Sequence, residues 1–214
     1  MYKRQTLIRA ERVAEGSQKG SLSLAQLHAM IDANERIKYD MRNRNLLKTR
    51  NALLLKFLYL TAARRSEAAN LKWEDLHQDG EFQVVILQQT KSGEPQKLKL
   101  RRELFEELEC WNETLKTNQI ECEWVFPSLS FRTLGGKMSG KGVNDVVSKL
   151  GSAIGLKISA HYLRHTAITL ALELGEPLQK VQSYARHASA NTTIRYFHDQ
   201  QFLEKNPTDR LPMI

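Results

Sequence analysis

The spacing of hydrophobic residues changes along this chain from a helical period to a strand period and back, which restricts the folds open to it. Ser23 and Gln26 form a capping-box pattern before residues with helical spacing, and a largely apolar helix is predicted from about Leu46 to Ala62. Alternating apolar and polar residues predict a β-hairpin over 82–101, and helical spacing returns at 103–118. The pattern therefore predicts a mainly α protein with a small antiparallel β-sheet, an α+β fold.

Signals for helix ends divide the last third of the chain into three predicted helices. Ser159 is placed to cap a helix from about His161 to Leu174, and Pro177 suits the first turn of the next one. Ser189 is placed to cap a third helix, which carries Tyr196. We therefore expect the C-terminal part of the chain to be helical as far as Tyr196.

The charge of the chain favours a polyanionic partner. Its 32 Lys and Arg residues outnumber its 24 Asp and Glu residues, which gives a formal net charge of +8. A basic surplus of this size favours DNA, RNA or an anionic membrane surface, and charge alone does not choose among the three.

Several features predict a cytoplasmic protein that is not bound to a membrane. The two cysteines, Cys110 and Cys122, lack a metal-type pairing and are expected to be free thiols in a reducing compartment. The basic start of the chain has no apolar segment behind it, so it does not have the pattern of a secretory signal. The most apolar stretch, Ala52 to Ala63, is interrupted by Lys56 and is too short to span a bilayer.

Two groups of basic residues are suited to grip an anionic oxygen, and each also has a plain structural interpretation. His161 and Arg164 are three residues apart and share one face of a predicted helix. Taken alone, this pair is more often a surface pair or an arginine bonded to a carboxylate. Arg64 and Arg65 end the apolar helix beside Glu67; a bound phosphate would hold their charge, but a structural ion pair is favoured when this segment is taken alone.

The remaining candidates lie at the hairpin tip and near the C-terminus. Lys91 at the predicted tip is placed to enter a DNA groove, although a solubilising turn lysine is commoner. His187 precedes Tyr196 by nine residues. A tyrosine hydroxyl, with its pKa near 10, becomes a nucleophile when nearby cations favour the phenolate. The plainer interpretation of Tyr196 is a tyrosine whose hydroxyl has a hydrogen-bond partner.

Taken together and in this order, four segments resemble motifs of the tyrosine recombinase, or phage integrase, family. The first motif of that family has an arginine followed two residues later by Ser-Glu. The segment TAARRSEAANLKWEDL resembles it, and this spacing selects Arg64, not Arg65, as the catalytic arginine. The hairpin with the catalytic lysine resembles TKSGEPQKLKL, the His-x-x-Arg helix resembles HYLRHTAITLALELG, and the closing motif resembles VQSYARHASANTTIRYFH. The catalytic positions that the resemblance implies are Arg64, Lys91, His161, Arg164, His187 and Tyr196.

The resemblance implies the DNA breaking-rejoining fold of tyrosine recombinase catalytic domains over residues 21–205. Residues 1–20 are then a basic lead-in or linker, either a solvated tail or an arm that contacts DNA, and residues 206–214 are a C-terminal tail. Family members usually carry an N-terminal DNA-clamping domain, and only about twenty residues precede Ser23. The chain is therefore expected to be either a shortened recombinase or a naturally short one.

The resemblance also implies a reaction without metal, ATP or cofactor. Tyr196 attacks the scissile phosphate to form a 3′-phosphotyrosine, and Lys91 protonates the departing 5′-oxygen. His161 assists proton transfer from Tyr196 or orients the phosphate. The non-bridging oxygens receive hydrogen bonds from Arg64, Arg164 and His187. Attack by the 5′-hydroxyl of another strand then completes recombination, because the covalent bond retains the energy of the phosphodiester.

The partners implied by the family are double-stranded DNA and further copies of the chain. Recombination needs four protomers on two duplexes, a homotetramer. The tail over residues 197–214 is expected either to dock on a neighbouring protomer, in an exchange of C-terminal segments, or to be a disordered tail.

Two positions depart from the family pattern. Ala185-Arg186 stands where members usually have Leu-Gly, and Ala62 stands where the first motif usually has Gly. The first departure adds a charge and removes a flexible residue next to the site, which argues weakly for a DNA-binding regulator with a decayed active site. All six catalytic positions carry the expected residue types, which argues against such decay. A topoisomerase IB-like strand transferase shares the active-site plan and stays open. A metal-dependent nuclease would need a carboxylate cluster, for which the sequence has no suitable pattern.

Overall fold

A computed structural model describes residues 21–39, 43–88, 94–187 and 189–194 of the chain. The helices in these ranges are α1 (Leu24–Arg36), α2 (Arg44–Thr61), α3 (Arg65–Ala69), α4 (Arg102–Thr117), α5 (Gly140–Ser152), α6 (Ala160–Glu173), α7 (Leu178–Ala185) and α8 (Ala190–Ile194). One antiparallel sheet contains the strands, in the order β1 (Leu76–Asp79), β2 (Phe82–Leu87) and β3 (Gln96–Lys99). This mainly helical architecture with one small sheet confirms the predicted α+β class.

The beginning of α1 confirms the capping box predicted at Ser23. Ser23 Oγ accepts a hydrogen bond from the backbone N–H of Gln26 at 3.2 Å, and Gln26 Oε1 accepts one from the Ser23 N–H at 2.8 Å. Leu22, just before the cap, donates its backbone N–H to Thr166 Oγ1 at 2.8 Å. Because Thr166 lies on α6, this bond joins the first described helix to the helix that carries His161.

The sheet has one strand more than the predicted hairpin. β2 pairs with β3 as expected, with Val85 opposite Leu98, and β1 pairs with the other edge of β2 after a turn at Gly80. Three of the four β1 residues are exposed. The sequence of β1 also lacks the alternation of apolar and polar residues that predicts a strand.

Helix α2 lies in the main hydrophobic core, as its apolar composition predicts. Phe57 and Leu58 are completely buried, and the Phe57 ring centroid lies 5.5 Å from that of Phe126. Helix α2 packs against α1, α4 and α6. Trp111 of α4 donates its indole N–H to the carbonyl of Val125 at 2.8 Å, which joins α4 to the segment that carries Phe126.

A smaller apolar cluster joins the ends of α2 and α7 to α6. Its buried members are Ala62, Ala167, Ile168, Leu172, Val181 and Ala185. Tyr184, near the end of α7, donates its hydroxyl to the carbonyls of Tyr59 and Leu60 at 3.2 and 3.1 Å, and burial raises its pKa. These contacts bring the residues that follow α2 close to the residues that follow α7.

The structure describes both cysteines and the helices that bear on the predictions of free thiols and of a chain without a membrane span. Cys110 is exposed, Cys122 is partly buried, and both are free thiols as expected. In the described part of the chain, none of the helices has the length and apolar character needed to cross a membrane.

Candidate active site

Arg64 lies in the turn between α2 and α3. Ala62 turns the chain in the left-handed conformation after Thr61, with a φ of 47°, and Arg64 occupies the N-cap position of α3. Arg64 Nη1 lies 2.6 Å from Glu67 Oε1, and the backbone N–H of Arg64 donates to Glu67 Oε2 at 2.7 Å. The ion pair expected beside Glu67 is therefore present, and Arg64 forms it while Arg65 is exposed.

Arg164 joins the ends of two helices. Its side chain lies on α6 and the residue is only 3% exposed. Nη1 donates to the carbonyl of Ala62 at 2.5 Å, and Nη2 donates to the carbonyl of Ala185. Carbonyls at helix C-termini lack partners within the helix, and the planar fork of a guanidinium can serve two of them at once. Arg164 is therefore held in one orientation by the backbone.

His161 lies one turn before Arg164 on the same face of α6. A polar cleft of about 450 Å³ is lined by both residues together with Arg64. Desolvation, followed by the charges of Arg164 and Arg64, lowers the pKa of His161. The imidazole is therefore neutral at pH 7, the form that can accept a proton.

The first turn of α6 is held in a way that differs from the prediction. Ser159 occupies the N-cap position, but its side chain makes no capping hydrogen bond. Asn144 of α5 accepts the backbone N–H of Ala160 instead, at 3.0 Å through Oδ1. The prediction of a serine cap was wrong because a carboxamide from a neighbouring helix reaches an N–H of the first turn of α6. Asn144 and Ser159 both line the cleft.

His187 follows the end of α7 and lies near the same cations. Its pKa is lowered to about 4, first by desolvation and then by the charges of Arg164, Arg64, Arg186 and His161. The half-buried ring is therefore neutral at pH 7. Its Nδ1 lies 2.9 Å from Oγ1 of Thr193 on α8.

Arg186 belongs to this group as well, although the sequence interpretation assigned it no role. Its side chain is 2% exposed, and its Nη2 lies 3.0 Å from Glu67 Oε2. The same nitrogen donates to the carbonyl of Ala62 at 2.8 Å, and Nη1 donates to that of Thr61 at 3.0 Å. The carbonyl of Arg186 accepts a hydrogen bond from Arg64 Nη2 at 3.3 Å. Glu67 is thus buried between two guanidinium groups. In the sequence, the departure from the family pattern at Arg186 was the one feature that pointed to this residue.

Both departures from the family pattern occupy left-handed backbone positions. The φ of Ala62 is 47° and that of Arg186 is 55°. A Cβ atom in this region costs about 1–2 kcal/mol, whereas glycine adopts it freely. The backbone therefore explains why glycine suits both positions, and here the two residues are joined by the hydrogen bond from Arg186 to Ala62.

Two of the six proposed catalytic residues lie outside the described residues, namely Lys91 and Tyr196. So does the tail over residues 197–214. Helix α8 begins after Ser189 as predicted, and Ser189 Oγ accepts the N–H of Asn191 at 3.3 Å. Tyr196 follows Ile194, the last residue of α8, by two positions.

The structure brings together the other four residues from three separate segments of the chain. Two guanidinium groups and two neutral imidazoles, from Arg64, His161, Arg164 and His187, lie around the ends of α2, α6 and α7. Guanidinium groups stabilise an anion, and neutral imidazoles either donate one hydrogen bond or accept one proton. This set is chemically suited to hold a phosphate while a proton moves beside it. Within the described ranges, no cluster of three or more His, Cys, Asp or Glu side chains is arranged to hold a metal ion.

Comparison with known proteins connects this site to a family. The model of the phage integrase family matches residues 21–202. The chain is 33% identical to the tyrosine recombinase XerA of Pyrococcus horikoshii over 147 residues, which cover 69% of this chain and 50% of that protein. It is 28% identical to the tyrosine recombinase XerH of Campylobacter jejuni over 180 residues, which cover 83% and 48% of the two chains. The chain thus spans about half the length of the curated relatives it matches.

Solved structures share the fold. A XerH site-specific recombinase bound to palindromic difH substrate, in a post-cleavage complex, matches with a TM-score of 0.69 at 23% identity, covering 89% of this chain and 53% of that one. A crystal structure of XerA recombinase matches with a TM-score of 0.67 at 22% identity, covering 91% and 66%. At this level of identity the likeness concerns the fold, and it confirms the fold predicted from the motifs.

Proposed function

Because this chain belongs to the phage integrase family, we propose that it is a site-specific DNA recombinase that cleaves and rejoins DNA strands through a covalent link to Tyr196. The observation that carries the proposal is the convergence of Arg64, His161 and Arg164 around one polar cleft, with His187 close enough for their charges to lower its pKa. These residues come from distant parts of the sequence, and a structural role for each one alone does not explain their meeting.

The two arginines have different relations to the cleft. Arg164 is buried and fixed by two backbone carbonyls, whereas Arg64 is partly exposed and paired with Glu67. A preorganised donor stabilises developing negative charge without reorganisation during the reaction. We assign Arg164 as the rigid donor and Arg64 as the more accessible donor to the non-bridging phosphate oxygens.

The two histidines are neutral for the same reasons, but they serve different steps in the proposal. His161 lines the cleft and, as a neutral imidazole, can take the phenolic proton of Tyr196 as that oxygen bonds to phosphorus. His187 donates one hydrogen bond to a non-bridging oxygen. Binding of the scissile phosphodiester, which carries one negative charge, beside Arg164 and Arg64 offsets part of their charge, which favours proton uptake by either ring.

The proposed reaction balances without an external reactant. The Tyr196 oxygen forms a bond to phosphorus, the bond from phosphorus to the 5′-oxygen breaks, and Lys91 gives a proton to that oxygen. The product is a 3′-phosphotyrosine and a free 5′-hydroxyl. Attack by a 5′-hydroxyl of a second strand reverses each transfer and releases Tyr196, so neither ATP nor a metal or other cofactor is required in the proposal.

The partners proposed for this chain are double-stranded DNA and three further protomers. Solved relatives with the same fold include a lambda integrase tetramer bound to a Holliday junction, with a TM-score of 0.57 at 18% identity. The net charge of +8 suits a DNA partner. Exchange of the C-terminal tail between protomers, a cytoplasmic location, and the division into residues 1–20, 21–205 and 206–214 stay predictions.

A nicked suicide DNA substrate tests the proposal. Candidate sites are inverted repeats in the neighbouring genomic DNA, and the nick lets the strand end diffuse away so that the covalent intermediate accumulates. The wild-type protein is expected to form an adduct that survives denaturing electrophoresis, with the DNA attached to Tyr196 by mass spectrometry. Tyr196→Phe is expected to bind the DNA without forming the adduct. Tyr162→Phe, the same chemical change on α6, serves as the matched control.

The outcomes of this experiment also separate the alternative functions. An adduct in Tyr196→Phe contradicts the assigned nucleophile. DNA binding without an adduct in the wild type, on every candidate repeat, indicates the regulator with a decayed site, which the buried cation Arg186 beside His187 favours. Relaxation of supercoiled DNA by a monomer indicates a topoisomerase IB-like enzyme. Cleavage that stops on addition of a chelator indicates a metal-dependent nuclease.

A further inference from the structure

The Thr193 side chain contacts a histidine outside its own helix, whereas the hydroxyl of Thr169 lies 3.2 Å from Nδ1 of His165 within α6. The hydroxyls of four threonines donate to the carbonyl four residues earlier in their helix, namely Thr61, Thr114, Thr117 and Thr166. Thr193 is completely buried, and its Oγ1 lies 2.9 Å from Nδ1 of His187 instead. Among the described residues this imidazole nitrogen is the hydrogen-bond partner of the Thr193 hydroxyl.

The contact matters because the His187 ring has two neutral forms. Its pKa of about 4 leaves the ring with one proton at pH 7, carried by either Nδ1 or Nε2. In the part of the chain that the structure describes, the charged and titratable groups that lower the pKa of the ring are Arg164 and His161 of α6, Arg64 before α3, and Arg186 after α7. All are cations or neutral at pH 7, so they disfavour a second proton, but they do not by themselves select the nitrogen that carries the first.

We propose that Thr193 is a positioning residue that donates its hydroxyl proton to Nδ1 of His187 and thereby keeps the ring proton on Nε2. A buried hydroxyl that does not donate loses a hydrogen bond without gaining contact with water. In the proposed direction, the hydroxyl proton has an acceptor. In the opposite direction, Nδ1–H donates to Oγ1, and the Thr193 proton then needs a second acceptor, which the described residues do not supply.

The consequence for chemistry rests on the proposed function. A neutral His187 with its proton on Nε2 is a donor at that nitrogen and can stabilise a phosphate oxygen. With its proton on Nδ1, the same ring presents a lone pair at Nε2, which repels the phosphate. The contact also ties α8, whose last described residue is two positions before Tyr196, to the cation cluster.

Nitrogen-15 NMR of the histidine rings measures this property directly and without DNA. The full chain is labelled with ring-¹⁵N histidine, and among its six histidines His187 is assigned by the signal lost in His187→Gln. At pH 7 we expect an unprotonated Nδ1 and a protonated Nε2. Thr193→Val keeps the shape of the side chain but removes the hydroxyl, and it is expected to produce a mixture of the two forms.

Two variants distinguish the hydroxyl from other effects of substitution. Thr193→Ser restores a hydroxyl and is expected to restore the wild-type ring signals. Thr192→Val makes the same change at the exposed neighbouring position and is expected to leave those signals unchanged. A wild-type ring with its proton on Nδ1 overturns the proposal. So does a Thr193→Val variant that keeps a normal backbone amide spectrum and the wild-type ring form.

Covalent adduct formation on the nicked substrate gives the second readout. We expect Thr193→Val to slow adduct formation about 10-fold to 100-fold at saturating DNA, since a misplaced oxyanion donor acts on the chemical step, with DNA affinity little changed. Thr193→Ser is expected to recover most of the rate. An unchanged rate in Thr193→Val overturns the functional part of the inference. If the wild type forms no adduct, the proposed function fails, while the NMR result still decides the ring form.

Discussion

Replacement of Arg186 by glycine changes stability through two contributions of opposite sign. The substitution removes a buried guanidinium from Glu67 and from the carbonyls of Thr61 and Ala62. It also removes a Cβ atom from a left-handed backbone position with a φ of 55°. The first change destabilises the folded protein, and the second stabilises it.

The structure sets the size of each contribution. Loss of one partner from a buried ion pair costs about 3–5 kcal/mol, and we take the lower end because Glu67 keeps its contacts with Arg64. Relief of the left-handed strain returns about 1 kcal/mol. We therefore expect Arg186→Gly to lower the free energy of unfolding by about 2 kcal/mol, and Arg186→Ala, which retains Cβ, to lower it by about 3 kcal/mol.

Urea unfolding followed by far-ultraviolet circular dichroism measures these values, provided the slope against urea is the same in all variants. The exposed neighbour offers a control, and Arg65→Ala is expected to change stability by less than about 0.5 kcal/mol. A double-mutant cycle with Glu67→Gln isolates the interaction of Arg186 with Glu67. An Arg186→Gly protein as stable as the wild type, or a coupling near zero in that cycle, would refute the reasoning.

Three further predictions concern other parts of the molecule. The pKa of His187 is lowered from 6.5 to about 4, so between these pH values the unfolded chain takes up a proton there that the folded protein does not. The free energy of unfolding should therefore fall as the pH drops from 6.5 to about 4, and it should fall less in His187→Gln. Urea unfolding at both pH values measures this difference. Lys91→Ala should slow adduct formation by about 100-fold or more on ordinary nicked DNA, but far less when sulfur replaces the bridging 5′-oxygen, because a thiolate leaves without a proton; equal losses on both substrates would exclude Lys91 as the acid. Gln119, exposed just after α4 with a φ of 57°, should stabilise the protein by about 1 kcal/mol when changed to glycine, and Gly175→Ala, at a φ of 85°, should destabilise it by about as much, as thermal unfolding will report.

The elements that depend on local spacing were predicted well. Ser23 caps α1 with the expected reciprocal bonds, α2 covers the apolar run, and β2 and β3 pair as a hairpin. Strand β1 was missed because its residues are mostly exposed and show no strand pattern in the sequence. It is a strand because its backbone pairs with β2. The predicted cap at Ser159 failed because Asn144, fifteen positions earlier, makes the hydrogen bond to the first turn of α6.

The motifs in the sequence predicted the residues of the candidate site, but they did not predict the hydrogen bonds and ion pairs among those residues. The spacing of His161 and Arg164 placed them on one helical face, and the register of the first motif selected Arg64 over Arg65. The sequence interpretation did not assign Arg186 to the cluster, because a residue that replaces glycine can point its side chain into solvent as readily as into the protein. Its burial follows from the position of Glu67, which is 119 residues earlier in the chain.

The amino-acid sequence by itself determined the class of fold, the helices with clear caps or periods, the basic charge and the residue types of the candidate site, because these depend on neighbours a few positions apart or on composition. The tertiary structure alone decided which donors meet which acceptors. Arg164 bonds a carbonyl 102 residues away, Arg186 bonds one 124 residues away, and both bonds exist because the smaller apolar cluster packs α6 and α7 against the end of α2. The low pKa of His187 has the same origin, since desolvation and the field of three arginines act on a ring only after the chain has brought them together.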